Sequence, residues 1–274
     1  MPARFIFLGT GPAEAIPRQG HQDRLCLDAR RRGSKSRRLR SSGLYVDGRT
    51  TLLFDAGPDI SQQLAAERVE HLDGVLLTHA HLDAAGGLAL IDRWAKARKL
   101  VLSVYTERAT ERRYGRFNNL SYRFIKPGEF VDFGDTTVRF FRVQHSVIPG
   151  FPTLGFRIGN FAYASDTYGF PLVTRHALAG VTDLILDGTF WFNTNFRGHL
   201  RVDESIELGK KLGVERLYLT QCGHTFPPYV EAAALVAEYA KKIAPGMVVT
   251  VAWDGLRIKC HSEAPSVPRN RLPS

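Results

Sequence analysis

Apolar residues recur along this chain with two periods, and the alternation between them predicts the architecture. Near the start, Phe5-Ile6-Phe7-Leu8 predicts a strand, and residues 43–54 predict a hairpin turning at Asp47-Gly48, a dipeptide that accepts positive φ. From 58 to 69 the apolar residues return at helical spacing. Residues 74–78 then read as a strand, 88–98 as a helix and 100–105 as a strand again. A second β-rich stretch occupies 131–144 and 154–164, the latter turning at Gly159-Asn160, and strands and helices alternate from there to Trp253. Two β-rich halves, each continued by strand–helix units, bury their apolar faces most completely as two mixed sheets packed face to face with helices outside. The expected fold is therefore α/β, a four-layer αββα sandwich forming one domain over 1–262. The Pro/Ser/Arg-rich tail at 263–274 is expected to be disordered.

With 274 residues and 44% hydrophobic content, the chain has enough apolar material for one large core. Three cysteines, Cys26, Cys222 and Cys260, are too few and too scattered for a disulfide framework, and Cys222 and Cys260 read as buried thiols. The N-terminal apolar stretch is too short for a signal-peptide core, and no run approaches the ~18 residues of a membrane-spanning helix. A cytoplasmic protein with no membrane role is expected. The formal charge of +10 favours anionic partners. Its densest segment is Arg30-Arg31-Arg32-Gly33-Ser34-Lys35-Ser36-Arg37-Arg38-Leu39-Arg40, which lacks interleaved aromatics and any recognised nucleic-acid motif. A solvated loop, with a small anionic substrate as partner, is preferred over nucleic-acid binding.

The chemistry concentrates in Thr78-His79-Ala80-His81-Leu82-Asp83-Ala84, directly after the apolar run Gly74-Val75-Leu76-Leu77. A strand ending there delivers two imidazoles and a carboxylate to one sheet edge, a common way to hold a hydrolytic metal. His145, Asp166 and His199 are each expected at the C-terminal end of a strand-like run, and polar, metal-competent residues at strand ends mark a site rather than a core. The aromatic groups Phe190-Trp191-Phe192 and 114–124 fit the wall of a substrate cleft, a dimer contact, or ordinary core.

A longer series of motifs can now be read together. It runs through Phe7-Leu8-Gly9-Thr10-Gly11, Arg38-Leu39-Arg40-Ser41-Ser42, Leu53-Phe54-Asp55-Ala56-Gly57 and the His79/His81/Asp83 segment. It continues with Gln144-His145-Ser146, Ser165-Asp166-Thr167, Gly198-His199, Leu219-Thr220 and Trp253-Asp254-Gly255. In this order the motifs resemble the metallo-β-lactamase fold superfamily and, within it, the PhnP-type phosphodiesterases of phosphonate breakdown. The resemblance implies that His79, His81 and His145 ligate a first metal, that Asp166 bridges to a second, and that Asp83 belongs to the second site. The family pattern there also has a histidine after the aspartate and another after the Leu-Thr dipeptide, whereas this chain has Ala84 and Gln221. Three imidazoles and a carboxylate hold a divalent ion well; Asp83, a shared Asp166 and a neutral Gln221 oxygen make a poor additional site. One tightly held ion is expected, zinc, manganese or iron. Asp83 is then left to orient or deprotonate a metal-bound water, and His199, at the family's position for a catalytic histidine, to protonate the leaving oxygen.

The same branch holds a structural zinc with a cysteine-rich turn and a late histidine, and the corresponding residues here are His21, Asp23, Cys26 and His224. This mixed set binds zinc less tightly than a thiolate-rich one. The function implied is a metal-dependent hydrolase that cleaves a small anionic, cyclic phosphodiester through a metal-bound hydroxide, with a homodimer as the suggested assembly. Lactone or thioester hydrolysis, oxygen-dependent iron chemistry, and a non-catalytic metal-binding accessory role are the alternatives on the same frame.

Overall fold

In the computed structural model, residues 2–48, 50–145, 152–194 and 198–260 are described. The tail at 263–274 lies outside the described residues. The first half runs β1 (Arg4–Gly9), α1 (Arg24–Ala29), β2 (Ser42–Asp47), β3 (Thr50–Phe54), α2 (Ile60–Ala66), β4 (Gly74–Leu76), α3 (Leu82–Ala85), α4 (Leu88–Ala97), β5 (Leu102–Thr106), α5 (Arg108–Tyr114) and β6 (Leu120–Phe124). The second runs β7 (Phe130–Phe133), β8 (Thr136–Val143), β9 (Thr153–Ile158), β10 (Phe161–Ala164), α6 (Leu172–Ala177), β11 (Asp183–Asp187), α7 (Val202–Leu212), β12 (Arg216–Thr220), α8 (Tyr229–Ile243), β13 (Val248–Val251) and β14 (Arg257–Lys259).

The strands form two seven-stranded sheets, ordered β14-β1-β2-β3-β4-β5-β6 and β13-β12-β11-β10-β9-β8-β7. Each is mixed: hairpin neighbours such as β2/β3 and β8/β9 are antiparallel, while β3 through β6 and β10 through β13 are parallel. Strand β14, at the C-terminal end of the described chain, pairs with β1 and so closes the first sheet.

Side chains alternate across a strand, and here the alternation sorts residues into three cores. Phe5, Phe7, Tyr45, Leu52 and Phe54 of the first sheet meet Phe140, Phe156, Phe161, Tyr163 and Tyr218 of the second in an aromatic central core. Their strand neighbours Ile6, Leu8, Leu44 and Leu53 face outward, onto Ile60 and Leu64 of α2 and Leu88, Ile91 and Ala95 of α4. On the far side, Ala162, Ala164, Leu184, Leu186, Leu217 and Leu219 face α6, α7 and α8 through Ala177, Val202, Ile206, Ala232, Val236 and Ala240. Three cores between four layers is the αββα sandwich. Each fully buried Phe or Leu contributes about 1.5–3 kcal/mol, so the interior holds both sheets against chain entropy.

Two boundaries differ from the sequence pattern for local reasons. The helix expected over 58–69 is Ile60–Ala66. It stops because Arg68 turns to φ 50° and the Val69 amide closes back on the Leu64 carbonyl. The strand expected over 74–78 ends at Leu76, because the Thr78 amide leaves the ladder and donates to the Asp55 carboxylate at 2.8 Å. That departure is what releases the residues after it toward the site. Among the described residues, no helix is long and apolar enough to cross a membrane.

Candidate metal centre

The segment after β4 is held by the loop after β3. Asp55, fully buried and at φ 60°, accepts from the Thr78 amide and hydroxyl through one oxygen, at 2.8 and 2.9 Å, and from the Tyr163 hydroxyl through the other, at 3.2 Å. Burial, the largest effect on it, pushes this carboxyl well above its usual range. The Thr78 oxygen in turn lies 2.8 Å from His79 Nδ1. Because the hydroxyl gives its proton to Asp55, it accepts from Nδ1–H, which leaves His79 Nε2, the nitrogen that faces His81, as the accepting one. Farther along, Gly57 passes so close to the Asp83 carbonyl that a Cβ there would sit 2.2 Å from it, and the Ala56 amide donates to the Ala84 carbonyl at 2.7 Å. The short helix α3 is thereby fixed with Asp83 buried in its first turn.

Three imidazoles converge from two sheets. His79 Nε2 lies 2.8 Å and His145 Nε2 3.1 Å from His81 Nδ1. The outer nitrogen of His145 donates to the Gly198 carbonyl at 3.1 Å, fixing its tautomer with Nε2 turned inward. Burial drives His79 well below its ordinary pKa and lowers His81 to about 4, with the neighbouring imidazoles and Arg113 adding to the effect on His81. Burial thus favours the neutral, ligating form of His79 and His81. A zinc ion bound at 2.0–2.1 Å sets tetrahedral ligand separations of about 3.3 Å, close to the 2.8 and 3.1 Å seen between these ring nitrogens. The donor set fits a divalent ion.

Asp166, at the end of β10, joins through His145. Ligand atoms of His79, His81 and His145 all lie within 4.8 Å of one another, as do those of His145, Asp166 and His199. Burial alone would raise the Asp166 pKa, but the His79, His145 and His199 rings and the Ser165 hydroxyl, at 2.6 Å, hold it well below the carboxylate range. Asp83 is pushed up to about 6, first by burial and then by the charge of Asp166.

His199 is not at a strand end as expected. It lies on the loop between β11 and α7, and Asp187 at the end of β11 holds it there, Nδ1 to Oδ2 at 2.5 Å. Asp187 is fully buried and also accepts from the Thr167 amide, the Thr189 amide and the Thr189 hydroxyl, at 3.0, 2.9 and 2.7 Å. Burial would lower the His199 pKa. Asp187, assisted by Asp166 and Asp83, outweighs it and raises the imidazole to about 9. With Nδ1 committed to Asp187, the other ring nitrogen remains for the centre. A protonated imidazole donates rather than ligates, and the pairing with Asp187 favours that form of His199.

Sequence reasoning missed Asp187 and the role of Asp55. The signal for Asp187 was present, since Leu184-Ile185-Leu186-Asp187 puts a carboxylate after an apolar run just as the other site residues are placed. Of the aromatics left open, Trp191 and Phe192 pack against the second outer core, on Phe226 and Tyr239. Phe190 instead meets His199 edge-on at 6.2 Å. Tyr114, Phe117 and Tyr122 pack on the first outer core.

The residues expected to hold a structural ion come to one corner without assembling. Cys26 Sγ is 3.9 Å from His224 Nδ1, and His21 Nδ1 is 3.6 Å from Asp23. Asp23, however, caps α1, accepting from the Cys26 amide at 2.9 Å. Burial raises the Cys26 thiol pKa, and His224 Nε2 lies 3.1 Å from the Ala15 carbonyl. Among the described residues, no three of these four bring ligand atoms within 4.8 Å of one another.

The basic run divides: Arg30, Arg31, Arg32, Lys35 and Arg37 are exposed, as a solvated loop requires, while other members are taken up by the fold. Arg38 is buried on Thr10 and the Ala252 carbonyl, Arg40 pairs with Asp59, and Lys35 lies 3.7 Å over the Trp253 ring.

Known proteins agree with this architecture. A model of the β-lactamase superfamily domain matches residues 50–220. The chain is 26% identical over 270 residues to an octanoyltransferase of Porphyromonas gingivalis, an alignment covering 93% of this chain and 53% of the relative, so the chain spans about half of that protein. A diphosphatase of the PhnP family superposes with a TM-score of 0.82 at 23% identity, covering 95% of this chain and 98% of the other. Zinc-bound PqqB of Methylobacterium extorquens does so with 0.71 at 20% identity, covering 94% and 100%. At these identities the structural likenesses speak for a shared fold. With the domain match covering the region from β3 to β12 and with the histidine centre at its sheet ends, the chain belongs to the metallo-β-lactamase superfamily.

Proposed function

We propose that this protein is a metal-dependent hydrolase that cleaves a small anionic phosphodiester. The observation that carries the reading is the pairing of two opposite proton environments at one centre. His79 and His81, packed with His145, are driven by burial toward the neutral, ligating form, and one imidazole, His199, is drawn toward its protonated form by a buried carboxylate. His79, His81 and His145, with Asp166 beside His145, would hold the ion. A divalent ion so placed acts as a Lewis acid and lowers the pKa of water bound to it toward ~7.

The remaining work falls to the chain. Asp83, with its pKa near 6, is matched to accept a proton from the attacking water at neutral pH. His199 holds a proton that it gives to the departing oxygen, and Asp187 fixes the ring's direction and stabilises its charge. Arg113, whose field reaches His81, adds positive potential at the rim that favours an anionic substrate.

A second reading, hydrolysis of an acyl ester or thioester, is favoured by the likeness to a protein named octanoyltransferase over 93% of this chain. The same proton groups serve both reactions. Assays of metal-loaded protein on bis(p-nitrophenyl) phosphate and on an octanoyl thioester separate them. Phosphodiester cleavage abolished by His81→Ala is the expected result. Turnover of the thioester alone would replace the first reading by the second.

A further inference from the structure

The side chain of Gln221 lies where the chain departs from the pattern of two-metal relatives. Gln221 follows β12 directly, is 3% exposed, and stands at φ 58°, a left-handed conformation that turns its side chain back under the sheet ends. Its Nε2 donates to Asp166 Oδ2 at 2.8 Å, and the same side chain hydrogen-bonds Asp83. Both neighbours are carboxylates, which accept, so the amide must present its NH2 group to them and its oxygen elsewhere. The sequence suggests Gln221 as a weak oxygen ligand; the structure turns it into a donor. Ala84, the other departure, is buried and offers no ligand atom, its carbonyl being taken by the Ala56 amide. Asp83 belongs to neither group of ligand atoms that converge within 4.8 Å among the described residues.

We propose that the Gln221 amide stands in for a second metal ion. Its two N–H bonds point partial positive charge at Asp83 and Asp166, replacing a cation that would otherwise bind between them, and so restrict the centre to one ion. The inference rests on the reading of His79, His81 and His145 as a metal site. The charge of Asp166 is felt at Asp83, and in a dry interior an amide NH2 satisfies both carboxylates without adding a ligand. The restriction has a chemical consequence. With no second ion at the centre, charge on the leaving oxygen would fall to His199, which Asp187 and its three further donors hold in place.

The test counts ions. Zinc is titrated into chelator-stripped wild type, Gln221→His and Gln221→Glu, with calorimetry and elemental analysis after dialysis as readouts. Histidine at position 221 supplies a ligand nitrogen; glutamate keeps the shape of glutamine and replaces the donor with a third carboxylate. Wild type is expected to saturate at one ion per chain and a folded variant at two. The added ion should raise the variant's melting temperature beyond the wild-type gain. Two ions in wild type would overturn the role given to Gln221 and leave the histidine site standing, as would both folded variants remaining at one. No ion in wild type would instead remove the histidine site and the proposal with it.

Discussion

Two places in this molecule gather metal-competent side chains, and among the described residues only one of them brings three or more ligand atoms within 4.8 Å of one another. At the histidine centre, the outward nitrogens of His79 and His145 are committed to Thr78 and to the Gly198 carbonyl, so the inward nitrogens are fixed as lone pairs. At the N-terminal corner, Cys26 and His224 come within 3.9 Å, yet Asp23 is spent on capping α1 and His224 Nε2 lies against the Ala15 carbonyl. Both places offer metal-competent residue types, three histidines and an aspartate at one and two histidines, an aspartate and a cysteine at the other. What differs most is the hydrogen bonding behind the ligands, which at the centre orients His79 and His145 and at the corner draws donors away.

The sharpest way to break this comparison is His81→Ala, which removes the nitrogen common to both short contacts of the cluster. Turnover is expected to fall at least 10³-fold and the bound ion to be lost, read by kcat/KM and elemental analysis. Next is Asp187→Asn, which keeps the shape around His199 but withdraws the charge that keeps it protonated. A loss of about 10²–10⁴-fold in kcat with unchanged metal content is expected, the range for a misplaced general acid.

The same substitution has a signature in stability. His199 is raised from 6.5 to about 9, so its contribution is fully present below pH 6.5 and lost as pH rises through about 9. Metal-free wild type should therefore lose stability between those values by more than Asp187→Asn does, in urea melts taken across that window. Equal slopes would show that the pair does not hold the proton. The smallest effect concerns the corner. Cys26→Ser, at a fully buried position, should lower the melting temperature by the same few degrees with and without chelator, because the cost is of burying a hydroxyl rather than of losing an ion.

Much of this was legible in the sequence, for reasons that vary by element. The continuous apolar runs of β1, β3 and β11 marked strands buried on both faces, which only inner layers covered by helices allow. His79, His81, His145 and Asp166 were legible because each follows a strand directly, and strand direction then fixes where they emerge. His199 was found by resemblance and misplaced by pattern, because a loop position is set by tertiary contacts, here with Asp187. The donor role of Gln221 was illegible. Whether an amide turns its oxygen or its nitrogen inward depends on the partners it meets, and Asp166 is 55 positions away in sequence.

The most direct measurement of the central claim is turnover of bis(p-nitrophenyl) phosphate by one preparation before chelation, after chelation, and after zinc or manganese is returned. The expected result is activity lost with the ion and recovered on its return, in wild type but not in His81→Ala. Stripped protein that turned over the reporter as fast as loaded protein would contradict the assignment of a hydrolytic metal to the His79, His81 and His145 centre.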